Sequence, residues 1–255
     1  MTDDIARRAR RRTRAVVAGV AAGLLVLGAA VIGLVVALGP SSAGGPVPAT
    51  TGPAAAVASS AAPPASPSDS TSPSPPVDDM RWDTVAGARV PVSRAAGPAD
   101  TAGGRARGFA HTPLGAVLAA VHISVRLSPQ VGPKVFEPTL REQVVGTSAA
   151  ALGQHLDEDY QQAQAQLGLP YGQPAGRLYS TTRGYRVDAA ADTATVRLLI
   201  EGPGASGGSV LVALVTTVQW VGGDWALVAP PGGDWTTNAS VVTDTAGYSR
   251  FPDGG

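Results

Sequence analysis

The hydrophobic and polar positions divide the chain into an apolar block, a polar segment of low complexity and a patterned body. The apolar block, Ala15–Leu38, is an unbroken run of 24 Ala, Val, Gly, Leu and Ile residues. About 20 apolar helical residues cross the hydrocarbon core of a bilayer. The run therefore predicts a single transmembrane helix. The alternative is a cleaved signal peptide, whose apolar region has only about 7–15 residues.

Small residues recur at every fourth position within this predicted helix. Such stripes let two helix backbones approach closely, so they favour a homo-oligomer in the membrane. The alternative is that Ala and Gly are simply abundant in this chain. The candidate interface residues are Ala15, Gly19, Gly23, Ala29, Gly33 and Ala37.

Residues 39–79 form the polar segment, which contains ten prolines and nine serines and almost no large apolar side chains. A segment of this composition buries too little surface to offset its ordering entropy. We expect a disordered linker that holds the body away from the membrane.

The body begins with helical periodicity. Apolar residues from Leu114 to Val125 lie on one stripe, and Thr112 and Pro113 are suited to the cap and the first position of this helix. A capping-box pattern, Thr139 to Glu142, predicts the start of a second helix that reaches Leu167. This second helix is expected to be interrupted at residues 146–148, where Gly, Thr and Ser follow one another.

The period then changes to two, which is typical of strands. The expected strands are 177–188, 193–201, 209–221 and 225–228, with a Gly-Gly-Asp hairpin turn before the last of them. Helices followed by an antiparallel meander indicate an α+β domain at residues 80–235, with the helices packed on a curved, cone-like, four-stranded antiparallel sheet. Residues 236–255 return to Gly, Thr, Asp and Ser and are expected to be a loosely ordered tail.

Composition and charge refine this layout. Residues 1–14 carry six arginines against two aspartates, a net charge of +4, whereas the remainder of the chain has a net charge of −4. Positive charge next to an apolar span favours a cytoplasmic N-terminus and an extracytoplasmic body at the cell membrane. The acidic body gives no reason to expect nucleic-acid binding. The absence of cysteine excludes disulfides and thiolate metal sites.

Two stretches carry a family resemblance. Residues 218–228 (VQWVGGDWALV), after two helices and long strands, resemble the nuclear-transport-factor-2-like cone fold. The overall layout resembles the single-pass scaffold subunits of type IV secretion and conjugation channels. Residues 108–120 (GFAHTPLGAVLAA) resemble a signature of uncharacterised actinobacterial membrane proteins. The resemblance implies a cone domain that serves as an assembly module, although this fold hosts enzymes, binders and scaffolds alike.

Candidates for chemistry are few, and the sequence predicts no catalytic residue, no cofactor and no metal site. His122 is the cavity candidate, because it follows Leu118 by one turn of the first helix. His155 and Asp159 have the spacing of two metal ligands, but a solvated acidic face explains them better. The candidate surface aromatics are Trp220, Trp225 and Trp235.

The sequence therefore favours a non-enzymatic, membrane-anchored scaffold with protein partners, of the kind found in a conjugation or secretion apparatus. Two alternatives remain open. One is a tethered domain that binds or senses a small ligand, which predicts a deep apolar cavity. The other is a cavity enzyme, which predicts polar groups converging inside that cavity.

Overall fold

The computed structural model describes residues 79–204 and 207–252. Within them the chain forms three α-helices, α1 (Pro113–Arg126), α2 (Pro133–Gln143) and α3 (Ala149–Leu167). The strands are β1 (Met80–Val85), β2 (Ala88–Ser93), β3 (Val144–Val145), β4 (Thr181–Ala190), β5 (Thr193–Pro203), β6 (Ser209–Val221), β7 (Asp224–Val228), β8 (Ala239–Val242) and β9 (Ser249–Arg250).

Seven of these strands form one sheet, so the prediction of a four-stranded antiparallel sheet is wrong. The order is β3-β7-β6-β5-β4-β9, and β8 pairs with β6 beside β7. All pairs are antiparallel except β3 with β7. The four expected strands correspond to β4–β7. The added strands have only two to four residues, which is too short for a period-two pattern to show.

Two of the added strands lie in the segment that was expected to be a loose tail. β8 pairs with the first half of β6, and β9 pairs with β4 at Gly184 and Tyr185. Phe251 then buries its ring against Tyr185, with the centroids 4.9 Å apart. Residues 239–242 and 249–251 are therefore part of the folded domain, because strand pairing and apolar burial offset their polar composition.

The predicted start of α1 is confirmed. The helix begins at Pro113, where the Thr112 hydroxyl accepts a hydrogen bond from the Gly115 amide at 3.1 Å, and it ends at Arg126. Its apolar stripe is buried, and the helix contacts β2 and the long strands β4, β5, β6 and β7. This helix is the element that the inner face of the sheet packs against.

The second predicted helix is two helices, and the first of them starts earlier than the capping-box pattern predicts. α2 begins at Pro133, six residues before Thr139. Within α2 the Thr139 hydroxyl donates to the Val135 carbonyl at 2.8 Å, so it caps nothing. Glu142 pairs with Arg105. The expected interruption at residues 146–148 is present, and β3 precedes it.

A separate hairpin, β1–β2, covers one end of α1. The buried side chains of β2 include Ala88 and Val90. The carbonyl of Pro91 faces α1, where it meets His122.

No helix in residues 79–204 and 207–252 is long and apolar enough to cross a membrane. The predicted span Ala15–Leu38, its interface candidates, the basic tail and the linker up to residue 78 lie outside the described residues. The transmembrane helix of the predicted fold is therefore not found among the described residues.

Candidate functional site

A cavity of about 80 Å³ lies between α1 and the inner face of the sheet. Most of its wall is aliphatic. The residues around it are Ala88, Arg89, Val121, Ser124, Val125, Leu127, Ser128, Leu178, Ser180, Thr182, Leu198, Ile200, Val212, Leu214, Trp235 and Ala239.

The floor of the cavity follows from the register of two central strands. Leu198 of β5 pairs with Leu214 of β6, and Ile200 pairs with Val212. Because residues directly opposite each other in a sheet share a face, these four side chains form one aliphatic patch. Alternation along each strand brings all four to the side of α1.

The roof comes from the last turns of α1. Val121, Ser124 and Val125 are three and four residues apart, so they lie on the same helix face. The stripe is interrupted there by a serine. Above the floor patch α1 thus presents two valines and one hydroxyl.

The Ser124 hydroxyl has no hydrogen-bond partner among the described residues, although its oxygen is enclosed. An enclosed hydroxyl without a partner loses the free energy of its bonds to water, about 1–3 kcal/mol. Ser128 also lines the cavity, but its hydroxyl donates to Gln130. Ser124 is therefore an enclosed polar group of the cavity wall without a hydrogen-bond partner among the described residues.

A smaller cleft of about 40 Å³ adjoins the cavity. Arg89 and Thr182 line both spaces. The guanidinium of Arg89 lies over the Trp82 ring, 5.2 Å from its centroid. The cleft has Arg183 and Phe251 on its other side.

His122 is fully buried, and it does not line this cavity. Its Nε2–H donates to the Pro91 carbonyl at 2.8 Å, and its Nδ1 accepts from Arg126 at 2.9 Å. Burial, assisted by the nearby Arg126 charge, lowers the pKa of His122 to about 4. Both ring nitrogens are occupied and the ring is neutral, so this histidine is a structural link between α1 and β2.

Arg126 is a buried cation at the end of α1. Besides His122 Nδ1, its guanidinium donates to the His122 carbonyl at 3.2 Å. Burial lowers the pKa of Arg126 to about 10, and the Asp83 charge opposes this shift. The negative end of the helix dipole and this carbonyl stabilise the charge in place of a carboxylate partner.

The three tryptophan candidates have different environments. Trp225 is only 2 % exposed, and its indole N–H donates to the Ala110 carbonyl at 3.0 Å. Trp220 is half-buried and stacks on His111, with the centroids 4.2 Å apart. Trp235, also half-buried, is the tryptophan that lines the cavity. The sequence grouped the three as surface aromatics, and only the fold separates their roles.

No metal site is visible in residues 79–204 and 207–252, where no three His, Asp or Glu side chains converge. His155 Nδ1 lies 3.1 Å from the Gly233 carbonyl. Burial raises the pKa of Asp159, one turn later on α3. The His155 contact therefore joins α3 to the loop after β7.

The cavity residues were missed as a site by sequence reasoning. Val121, Leu198 and Leu214 look like ordinary core positions, since their periodicity is that of a packed face. The one local signal was Ser124, a hydroxyl within the apolar stripe of α1. A polar residue at a core position is informative when it has no partner, and this becomes known only from the fold.

Comparison with known families and proteins gives a single match. No curated protein and no solved structure matches the chain. The resemblance to the nuclear-transport-factor-2-like fold therefore stays a prediction. The model of one family matches residues 44–250, which is most of the chain. The chain belongs to this family, described as Domain of unknown function (DUF8175).

Proposed function

We propose that residues 79–252 form an extracytoplasmic domain that binds a small, largely apolar molecule in the cavity beneath α1. One observation carries this proposal: the inner face of the sheet and α1 leave a cavity of about 80 Å³ between aliphatic side chains. Protein interiors are normally packed to the density of organic crystals, with few voids larger than a water. A ligand site is a physical reason to keep such a space.

The chemistry of the wall favours binding over catalysis. A general acid or base needs a titratable group within reach of the substrate. The cavity wall formed by the described residues offers hydroxyls and, at one end, Arg89, but no histidine and no carboxylate. His122, the residue on which the enzyme alternative depended, is occupied elsewhere.

The scaffold role in a conjugation or secretion apparatus, with protein partners and self-association, remains a second expectation from the sequence. It rests on the resemblance alone, and no contact of the described residues favours it. The cavity favours the ligand-binding alternative, so we take that alternative as the conclusion.

Ligand-observed fluorine NMR tests the proposal on the full-length chain in lipid nanodiscs. The probe is 5-fluoropentan-1-ol, with empty nanodiscs as the reference for partitioning. Burying a five-carbon chain contributes about 4 kcal/mol at ~0.8 kcal/mol per methylene. This corresponds to a Kd of about 1 mM at best. We expect saturable broadening of the fluorine signal in this range.

A pair of matched variants locates the binding. Val125→Phe places a ring in the cavity and should abolish the saturable component. Val221→Phe, at an exposed position at the end of β6 outside the cavity wall, should leave it intact. Equal binding to both variants, or no saturable component in the natural chain, would contradict the proposal.

The extracytoplasmic location is part of the proposal and has its own test. Because the chain lacks cysteine, single cysteines at Thr2 and Gly255 report the side of the membrane on which each end lies. A membrane-impermeant maleimide should label Gly255→Cys on intact cells and Thr2→Cys only after permeabilisation. Labelling of both ends from the same side would refute this location.

A further inference from the structure

We infer that the ligand of this cavity is an uncharged molecule with a short apolar body and one hydrogen-bonding oxygen, that of an alcohol or a carbonyl, which meets the hydroxyl of Thr182. This inference rests on the proposed function and adds the chemical class of the ligand and a residue that selects it. Three features of the cavity support it: the hydroxyl side chains of its wall, the state of its ionisable residue and its volume.

The chain that leads into β4 alternates between the cavity and the solvent. Leu178, Ser180 and Thr182 line the cavity, whereas Tyr179 is 63 % exposed. Successive side chains of an extended chain point to opposite sides, so every second residue of this stretch faces the cavity. The stretch therefore adds two hydroxyl side chains to a wall that is otherwise mostly aliphatic.

The hydroxyl of Thr182 differs from the others in the wall. Thr182 is only 7 % exposed, and its hydroxyl makes no hydrogen bond to another described residue. Its oxygen is also not among the fully enclosed ones, in contrast with that of Ser124. The hydroxyl of Ser128 already donates to Gln130. A few polar groups in an otherwise apolar wall fix the orientation of a ligand, and Thr182 is the residue that offers such a group here.

The wall has no free charge to hold an ionic ligand. Arg89 is the one ionisable side chain among the described residues around the cavity, and it already has a partner. Its guanidinium lies over the Trp82 ring, 5.2 Å from the centroid. Moving an ion from water into an apolar space without a counter-charge has a large cost in free energy. A hydroxyl or carbonyl oxygen loses much less, and one hydrogen bond offsets part of that loss. The wall therefore favours an uncharged ligand.

The volume of the cavity keeps the ligand small. The cavity measures about 80 Å³, which is less than the ~150 Å³ of an engineered cavity in another protein that binds benzene. A body of about five carbons at most fits these dimensions, and a long acyl chain does not. The aliphatic floor of β5 and β6 lies beneath this body, so the oxygen is the part of the ligand that Thr182 binds.

Probes with similar apolar bodies and different polar ends test the inference by fluorine relaxation on the full-length chain in lipid nanodiscs. They are 5-fluoropentan-1-ol, 5-fluoropentan-2-one, 1-fluoropentane, 5-fluoropentanoate and 5-fluoropentylammonium. We expect the alcohol, the ketone or both to bind at least about tenfold more tightly than either ion, because an ion in the cavity lacks its hydration. Comparing the alcohol with the ketone distinguishes a hydroxyl from a carbonyl ligand.

Threonine variants assign the hydrogen bond, with fluoropentane as the reference because it has the apolar body without the oxygen. Thr182→Val removes the hydroxyl at nearly constant volume, so the affinity of the alcohol or ketone relative to fluoropentane should fall about fivefold. Binding of fluoropentane shows that the cavity of this variant is intact, and if it is lost, the ratio is measured in Thr182→Ala. Thr195→Val, at an exposed position of β5 that does not line the cavity, is the matched control and should change nothing.

The outcomes separate the two claims. If an ion binds as tightly as the alcohol and the ketone, or if the ratio to fluoropentane is the same with and without the Thr182 hydroxyl, the inference is overturned and the proposed function stands. Loss of fluoropentane binding in both Thr182 variants would show that Thr182 shapes the cavity without selecting the oxygen, which also overturns the inference alone. If no probe shows a saturable component that Val125→Phe removes, the cavity is not a binding site, and both claims are overturned.

Discussion

The buried histidine makes the stability of the domain depend on pH in a specific way. The pKa of His122 falls from 6.5 to about 4 on folding, chiefly because burial disfavours the imidazolium. Between these two values the unfolded chain binds a proton at this position and the folded domain does not. The free energy of unfolding therefore falls as the pH falls through this window. Above pH 6.5 the contribution is fully present.

The size of the effect follows from proton linkage. Each pH unit inside the window changes the free energy of unfolding by about 1.4 kcal/mol. Lowering the pH from 7 to 5 crosses the upper part of this window, from 6.5 to 5, so we expect His122 to lower the free energy of unfolding by about 2 kcal/mol. Asp79, Asp100, Glu142 and Glu201 have pKa values lowered below 3.8 or 4.5, so they titrate mainly below pH 5.

Urea unfolding of the full-length chain, followed by circular dichroism at pH 7 and pH 5, measures this loss. In His122→Gln the side chain has a donor for the Pro91 carbonyl and an acceptor for Arg126, but it does not titrate. Between pH 7 and pH 5, we expect the free energy of unfolding of the variant to fall by about 2 kcal/mol less than that of the natural chain. Comparing each protein with itself removes the packing cost of the substitution.

The control is His111→Gln. The His111 ring stacks on the Trp220 ring and is half-exposed to solvent, so it lacks the burial of His122. This variant should keep most of the pH dependence of the natural chain. If His122→Gln loses as much stability between pH 7 and pH 5 as the natural chain does, His122 is not the group that titrates, and the inferred neutral state is wrong.

Two further predictions concern the start of α1. Thr112→Ala removes the acceptor of the Gly115 amide and should lower the free energy of unfolding by about 1 kcal/mol. Thr112→Ser keeps a hydroxyl acceptor and should retain most of the natural stability. The urea midpoints of the two variants check this. Gly115→Ala places a methyl group 2.0 Å from the Ala110 carbonyl oxygen and should cost about 3 kcal/mol by overpacking. The control is Gly168→Ala, at the C-cap of α3, where φ is +63° and no atom lies near an added methyl group; it should lower the free energy of unfolding by only about 1 kcal/mol. Equal urea midpoints for Gly115→Ala and Gly168→Ala would contradict the steric argument.

Local chemistry explains which elements the sequence predicted correctly. The cap at Thr112, Pro113 at the first helical position and the apolar stripe act within α1 itself, so the sequence predicted the start and the buried face of this helix. The β6–β7 hairpin turns at Gly222 and Gly223, whose φ values of +64° and +89° suit a two-residue turn between twisted strands. Period-two patterns located β4 to β7 for the same reason.

Where local signals competed or were missing, the tertiary structure determined which element formed. The capping-box pattern at Thr139 and Glu142 was as clear as the cap at Thr112, yet Pro133 starts α2 earlier. Val144 and Val145 pair with Leu227 and Val228, more than 80 positions later, so nothing near them in sequence marks β3 as a strand. The same holds for β8 and β9, whose pairing partners lie in β6 and β4.

By itself, the sequence determined the α+β class, α1 and the four long strands, because each depends on residues close together in the chain. It also supplied the predictions of a membrane location and a linker. Only the tertiary structure showed that burial keeps His122 neutral and that α1 and the sheet leave a cavity between them. A cavity is the space that distant segments leave unfilled, so it has no signature in any one of them.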